Sequence, residues 1–307
     1  MPLESLKKLY PAANRSRYAI GQFNVNNLEF VQAAIEAATE AKAPIILAAS
    51  TSAIKYAGID YLMAMVRAGA AKAPVPVVLH LDHGATFEDA RNCVDAGFTS
   101  VMIDGSHLPF DKNIELTARV VEYAHAHGVS VEGELGRLGG IEDEVSVDAK
   151  DAHLTDPAQA VEFARKTGVD ALAVAVGTSH GAYKFKGEAR LDFERISLIK
   201  KMTEMPLVLH GASGVPESLT QKIAKYGGRL PGAKGLPDDA YRKAVESGIN
   251  KINIDTDLRL TFVAEVRQVL AENPQEIDPR KILGPARQAI KEIIKSKITL
   301  LGSAGRA

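Results

Sequence analysis

The chain has 307 residues, 46% of them hydrophobic and 24% charged, with a formal net charge of −1. This composition is ordinary for a folded globular protein, and a near-neutral balance without a basic block argues against nucleic acid as a partner. No run approaches the roughly 20 apolar residues of a membrane span, and the one cysteine, Cys93, excludes an internal disulfide framework. The opening Met-Pro-Leu-Glu-Ser-Leu-Lys-Lys has no apolar core of signal-peptide length. The expected compartment is therefore the cytoplasm.

Eight short apolar runs alternate with helical patterns. The predicted strands cover 18–25, 44–49, 75–81, 100–104, 130–134, 171–176, 207–210 and 251–255. Most are nearly continuous in apolar residues, as parallel strands covered on both faces are. Helical periodicity fills 28–42, 60–71, 87–96, 113–127 and 156–167, and Gly97, Gly128, Gly168 and Gly248 stand where left-handed caps are expected. Strict β-α alternation over eight strands predicts an α/β fold, a (β/α)8 TIM barrel in one domain over 1–307. Residues 256–298 hold more helix than one barrel repeat needs, so extra C-terminal helices are expected to cap the barrel or join a subunit contact. Three segments break the pattern: an acidic, glycine-rich 135–155, a basic 181–191, and 226–239 with four Gly and two Pro. Loops this long are usually functional or disordered.

Three histidines follow strand runs. His83 closes Val-Pro-Val-Val-Leu-His-Leu-Asp-His (75–83), His180 follows Ala-Leu-Ala-Val-Ala-Val-Gly-Thr-Ser (171–179), and His210 closes Pro-Leu-Val-Leu-His (206–210). A lone histidine after a strand is ordinarily a satisfied polar residue. Three of them at the ends of barrel strands converge, and three imidazoles with an open position make a catalytic divalent-metal site. The other strand ends complete a polar crown: Asp82, Asp104-Gly105-Ser106, Glu132 and Glu134 on one face, and Asn253-Ile254-Asp255-Thr256. The region after the last two strands is the usual phosphate site of such barrels. There Gly211, Ser213 and their neighbours offer backbone N–H groups, and 253–256 opens a helix whose N-terminus favours an anion. Lys184, in Gly-Ala-Tyr-Lys after Gly181, adds a positive charge. No lysine lies at the C-terminal end of a predicted strand, since Lys251 begins the eighth, so no buried Schiff-base amine is expected.

His-Leu-Asp-His-Gly (80–84), Val-Glu-Gly-Glu-Leu-Gly-Arg-Leu-Gly-Gly (131–140), Gly-Thr-Ser-His-Gly (177–181), Leu-His-Gly-Ala-Ser-Gly (209–214), Asn-Ile-Asp-Thr-Asp (253–257) and the closing Leu-Leu-Gly-Ser-Ala (300–304) resemble the signature segments of class II fructose-1,6-bisphosphate aldolases, a family close to the tagatose-1,6-bisphosphate aldolases. The resemblance runs nearly end to end. It implies Zn²⁺, Co²⁺ or another divalent ion on His83, His180 and His210. The ion is a Lewis acid on the C2 carbonyl of dihydroxyacetone phosphate and stabilises an enediolate. It implies that Asp82 exchanges a proton with the C4 hydroxyl, and that Glu142, on a loop with a Gly139-Gly140 hinge, moves the carbon-bound proton. From residues alone Glu142 is one acid in a solvated acidic loop, and Glu144 competes with it.

Glu134 becomes an alternative ligand or a supporting group, Asp104 a supporting group or second ion site, and Glu132 and His80 groups that orient the histidines. The resemblance places Asn24, Ser50, Gly181, Lys184, Gly211, Ser213, Asn253, Asp255, Thr256, Arg259 and Arg280 on the substrate side. Ser50, Arg259 and Arg280 take the far phosphate, Arg280 by reaching a neighbouring subunit. It also implies a monovalent cation, Na⁺ or K⁺, near the first phosphate, and a homo-oligomer, dimer or tetramer. Tagatose-type relatives carry a small apolar residue where this chain has Asp255, which favours the fructose epimer. A metal-dependent hydrolase on the same barrel is a third reading, but the spacing of His80 and His83 lacks the His-x-His pair such sites use. A non-enzymatic sugar-phosphate binder would not need Asp82 and Glu142.

Overall fold

The computed structural model describes residues 3–142, 145–147, 152–180, 191–230 and 233–307, with 139–142, 145–147 and 180 described by backbone alone. In chain order the elements are α1 (Leu6–Ser16), β1 (Ile20–Asn24), α2 (Leu28–Ala41), β2 (Ile45–Ser50), α3 (Thr51–Ala57), α4 (Ile59–Lys72), β3 (Val77–Gly84), α5 (Phe87–Ala96), β4 (Ser100–Ile103), α6 (Phe110–Ala126), β5 (Ser130–Leu135), β6 (Gly139–Glu142) and β7 (Val145–Val147). There follow α7 (Pro157–Thr167), β8 (Ala171–Val174), β9 (Ser179–His180), α8 (Phe193–Thr203), β10 (Leu207–Leu209), α9 (Glu217–Lys225), α10 (Asp238–Ser247), β11 (Ile249–Ile254), α11 (Thr256–Glu272) and α12 (Pro279–Leu300). Eight strands close a parallel barrel in the order β1-β11-β10-β8-β5-β4-β3-β2. Each of the eight predicted strands supplies one stave of this (β/α)8 barrel. Among the described residues no helix is long and apolar enough to cross a membrane.

Two apolar layers hold the barrel. The larger lies between strands and helices, where Phe23, Leu47, Leu79, Val101, Leu172, Leu209 and Ile254 pack under helix residues such as Val66, Phe163, Ile196 and Tyr241. The smaller fills the barrel's N-terminal end: Ile20, Ile46, Val78, Ala171, Ala173 and Val208 meet Leu6, Tyr10 and Ala13 of α1. Each fully buried aliphatic side chain contributes about 1.5–3 kcal/mol. The plug α1 is absent from the sequence expectations, because Pro11 inside a short, basic segment hides its helical signal. Toward the C-terminal end the interior turns polar: Asn24, Asp82, Glu132, Glu134, Lys251 and Asn253 are all buried.

One further feature departs from the sequence expectations. The stretch 135–155 is not simply a loop: β6 and β7 form an antiparallel ladder, and β6 also pairs in parallel with β9 (Gly139 with Ser179, Gly140 with His180). Gly139 and Gly140 are thus ladder residues rather than a free hinge, and this small sheet brings the backbones of Glu142 and His180 into one unit. The extra C-terminal helix lies on the barrel's flank. There α12 runs along α2 and α11, and Lys291 and Lys295 pair with Glu40 at 2.8 and 2.7 Å.

Candidate active site

A distortion at the end of β3 creates the site. A regular strand sends consecutive residues to opposite faces. Here the pairing of β3 with β4 slips between Leu81 and Gly84, and His83 takes a left-handed conformation with φ 51°. A bulge of this kind re-aims side chains. Both neighbours reach the barrel mouth, and Asp82, His83 and His210 offer ligand atoms within 4.8 Å of one another. Gly84 makes the slip sterically feasible, since a Cβ there would sit 2.7 Å from the Met102 carbonyl oxygen.

The His83 and His210 rings stand edge to face, with His83 Nε2 3.0 Å from His210 Nδ1. The far nitrogen of each ring meets a carboxylate: His83 Nδ1 lies 3.1 Å from Asp104 Oδ2, and His210 Nε2 lies 2.8 Å from Glu132 Oε1. A carboxylate at the far nitrogen keeps a proton there and leaves the near nitrogen a lone pair. Two lone pairs face to face repel unless a cation, a proton or a metal ion, sits between them. Two imidazole nitrogens on one tetrahedral zinc, with bonds of about 2.0–2.1 Å, stand about 3.3 Å apart, so both donor type and spacing fit a divalent ion. Electrostatics agree. Burial alone would push the His83 imidazole down, but Asp104, Asp82 and Glu134 outweigh it and hold it up at about 10. Burial and then the charge of Asp104 push the Glu134 carboxyl well above the ordinary range. Its Oε2 is buried without a hydrogen-bond partner among the described residues, 4.0 Å from His83 Nδ1. A second group of convergent ligand atoms joins His83 to Asp104 and Glu134.

Asp82 is 2% exposed, and two amides hold it: Asn24 Nδ2 donates to Oδ2 at 2.8 Å and Asn253 Nδ2 to Oδ1 at 3.1 Å. Burial raises its carboxyl, but His83 first, then His210 and Lys251, outweigh that and hold it below the usual carboxylate range. It is an anion with fixed orientation. Below it Glu132 forms a buried ion pair with Lys251 at 2.7 Å. The sequence reading expected no buried Schiff-base amine and did not foresee this buried, ion-paired lysine. Lys251 is fully buried inside the barrel, where alternation along Lys251, Asn253 and Asp255 could have revealed it. Its Nζ donates to the Glu132 carboxylate, whereas a Schiff-base lysine needs its nitrogen lone pair for a substrate carbonyl. His80 is buried, bonded at Nδ1 to Ser100 Oγ at 2.7 Å, and burial pushes its imidazole down to about 3, consistent with a structural role.

On the other side of the mouth lies the loop after β10. Gly211 has φ +61°, and a Cβ there would meet the Ser179 carbonyl oxygen at 2.7 Å. That contact sets the backbone leading to His180 beside His210. Ser213 Oγ accepts the Asp255 and Thr256 N–H groups at 3.3 and 3.2 Å, capping α11. Arg259 clasps Asp255, with Nε 2.9 Å from Oδ1 and Nη2 2.7 Å from Oδ2. Ser50 caps α3, accepting the Ala53 N–H at 3.3 Å. Arg280 is not brought to this cluster within the chain. Its side chain is 90% exposed and binds Asp278 on the first turn of α12. Gly181, Lys184 and the competing Glu144 lie outside the described residues, as do the side chains of His180 and Glu142.

The family model described as "Fructose-bisphosphate aldolase class-II" matches residues 4–229 and 230–306. The chain is 54% identical over 305 residues to the fructose-bisphosphate aldolase of Thermus caldophilus, covering 99% of this chain and 98% of that one. It is 50% identical over 295 residues to the fructose-bisphosphate aldolase of Helicobacter pylori, covering 96% of each. Among solved structures, the YdjI aldolase from Escherichia coli K12 superposes with a TM-score of 0.81 at 34% identity over 99% of both chains. With a polar crown on a closed parallel barrel and paired imidazoles at its mouth, the chain belongs to the metal-dependent class II fructose-bisphosphate aldolase family.

Proposed function

We propose that this enzyme cleaves fructose 1,6-bisphosphate reversibly into dihydroxyacetone phosphate and glyceraldehyde 3-phosphate. One observation carries the reading: a buried, amide-clamped carboxylate, Asp82, stands beside two imidazoles whose near nitrogens face each other at 3.0 Å. His83 and His210, with His180 and with Glu134 as alternative, would hold a divalent ion, zinc or cobalt in preference. Bound there, it supplies Lewis-acid chemistry toward the substrate's carbonyl. Asp82 takes the proton from the C4 hydroxyl as the C3–C4 bond breaks, and the aldehyde leaves with its new C=O. The electron pair left at C3 is protonated by Glu142, and condensation runs the same transfers backward. Asn24 and Asn253 keep Asp82 aimed. Gly211, Ser213 and Thr256 bind one phosphate, with a Na⁺ or K⁺ ion beside it. Lys184, Ser50 and Arg259 serve the phosphates, and Arg280 does so from a neighbouring subunit of a dimer or tetramer. The cytoplasm is the expected compartment.

The test compares retro-aldol turnover of the fructose and tagatose bisphosphates on one sample of known metal content. The expected result is a higher kcat/KM for the fructose epimer, abolished by chelator and restored by Zn²⁺ or Co²⁺. Equal or reversed preference would overturn the sugar assignment alone. Activity that survived full metal removal but died with borohydride and substrate would instead make Lys251 a Schiff-base residue.

A further inference from the structure

The loop after β10 has an anion behind it. Asp257, fully buried in the first turn of α11, accepts the Gly214 N–H at 2.9 Å and the Val215 N–H at 2.7 Å. A loop of this type binds an anionic ligand through backbone N–H groups. A carboxylate that occupies two of them therefore opposes such a ligand with its charge, even while it shapes the loop. The opposing charge is matched from far along the chain. Lys297, near the end of α12 and 7% exposed, puts Nζ 3.4 Å from Asp257 Oδ2. The same ammonium lies 4.2 Å from the centre of the Tyr241 ring. Tyr241, from α10, donates its hydroxyl to the Ala212 carbonyl. A Cβ on Gly214 would come within 2.9 Å of Lys297 Nζ, so the ammonium sits directly against the loop backbone.

A buried ion pair is a poor way to stabilise a fold. Apolar replacements of similar volume are often neutral or better. Its place here, under the loop read above as a phosphate site, argues for a role in recognition. We propose that Lys297 is a positioning residue for substrate phosphate: it cancels the Asp257 charge behind the 211–215 loop and fixes the groups that hold the loop's shape. This rests on the reading of that loop as a phosphate site.

The experiment uses the full-length, metal-loaded chain with K297M, K297R and D257N/K297M, and measures inhibition by inorganic phosphate, KM and kcat for fructose 1,6-bisphosphate, and metal content. K297M is expected to weaken phosphate inhibition and raise KM on the order of tenfold, the effect of one uncancelled charge near a bound anion. Metal content should be unchanged and kcat should change much less than KM. K297R should retain wild-type phosphate binding. D257N/K297M should recover part of what K297M loses, because the buried anion is gone, and only part, because the amide nitrogen cannot accept the second loop N–H. Wild-type phosphate inhibition in K297M, or no recovery in the double variant, would overturn the proposal. Should K297M not fold, the neutral pair must bind phosphate within about threefold of K297R; a larger loss would show that the Lys297 charge acts on the ligand directly. Hydrogen exchange of the 211–215 amides in the wild type, with and without phosphate, tests the loop itself. No slowing rejects the phosphate site. Slowing together with an unaffected K297M rejects only the part assigned to Lys297.

Discussion

Asp82 and His83 are chain neighbours with different tasks, and their partners separate them. Asp82 is held by two amides, as suits a base of fixed aim, whereas His83 is held by Asp104 on its far nitrogen, as suits a ligand. His83→Ala and His210→Ala should each lose bound metal together with activity. Asp82→Ala should keep its metal while kcat falls roughly 10²–10⁴-fold, the usual contribution of a positioned acid–base group. Metal analysis of the purified variants decides, and an empty site in Asp82→Ala would make Asp82 a ligand. Glu132 gives a pH test. Burial pushes its carboxyl up, but Lys251, the His210 hydrogen bond and His80 outweigh that and hold it at about 2, against an ordinary 4.5. The depressed folded value means its stabilising contribution is present above pH 4.5 and is lost as pH falls toward 2. Melting midpoints between pH 6 and pH 3 should therefore fall more steeply for wild type than for Glu132→Gln. Parallel curves would show that Glu132 is not held ionised. His83 and His210, which the structure brings together, were legible because each closes an apolar run. Lys251 was legible only as an inward-facing residue, by alternation with Asn253 and Asp255; its purpose shows only when Glu132 is seen across the barrel.

At the scale of elements, the decisive piece is the bulge between Leu81 and Gly84. It cannot be read from His-Leu-Asp-His-Gly, since alternation predicts that Asp82 and His83 diverge. Gly84→Ala should press on the Met102 carbonyl and on Leu81, force β3 from β4, and destabilise the protein by about 1–3 kcal/mol. Because the bulge aims His83, metal affinity should drop as well. Denaturant melts and a chelator competition titration measure the two effects, and a destabilised variant with unchanged affinity would detach the bulge from the site. The β6–β7 ladder teaches a similar lesson. Its apolar residues, Ile141, Val145 and Val147, stand among glycines and acids in runs too short to read as strands, so only pairing with β9 and with each other marks them.

For the whole molecule, the carboxylates around the mouth make a bound cation part of the folding energetics. Chelation should lower the melting temperature, and Zn²⁺ at a hundredfold excess over its Kd should return about 2.7 kcal/mol of stability. A melting temperature indifferent to chelator would mean that the site binds no ion tightly. The sequence by itself determined the barrel, since eight apolar runs with helices between them have one economical closure. It also determined most of the polar crown, because strand ends face one mouth in any such barrel. Two things waited for tertiary structure: the bulge that turns two neighbours to one side, and the partners of the buried lysines Lys251 and Lys297. Each depends on a partner distant in sequence or on a slip in register. Local pattern encodes burial and periodicity, but the choice of partner across a closed core is made only when the strands meet.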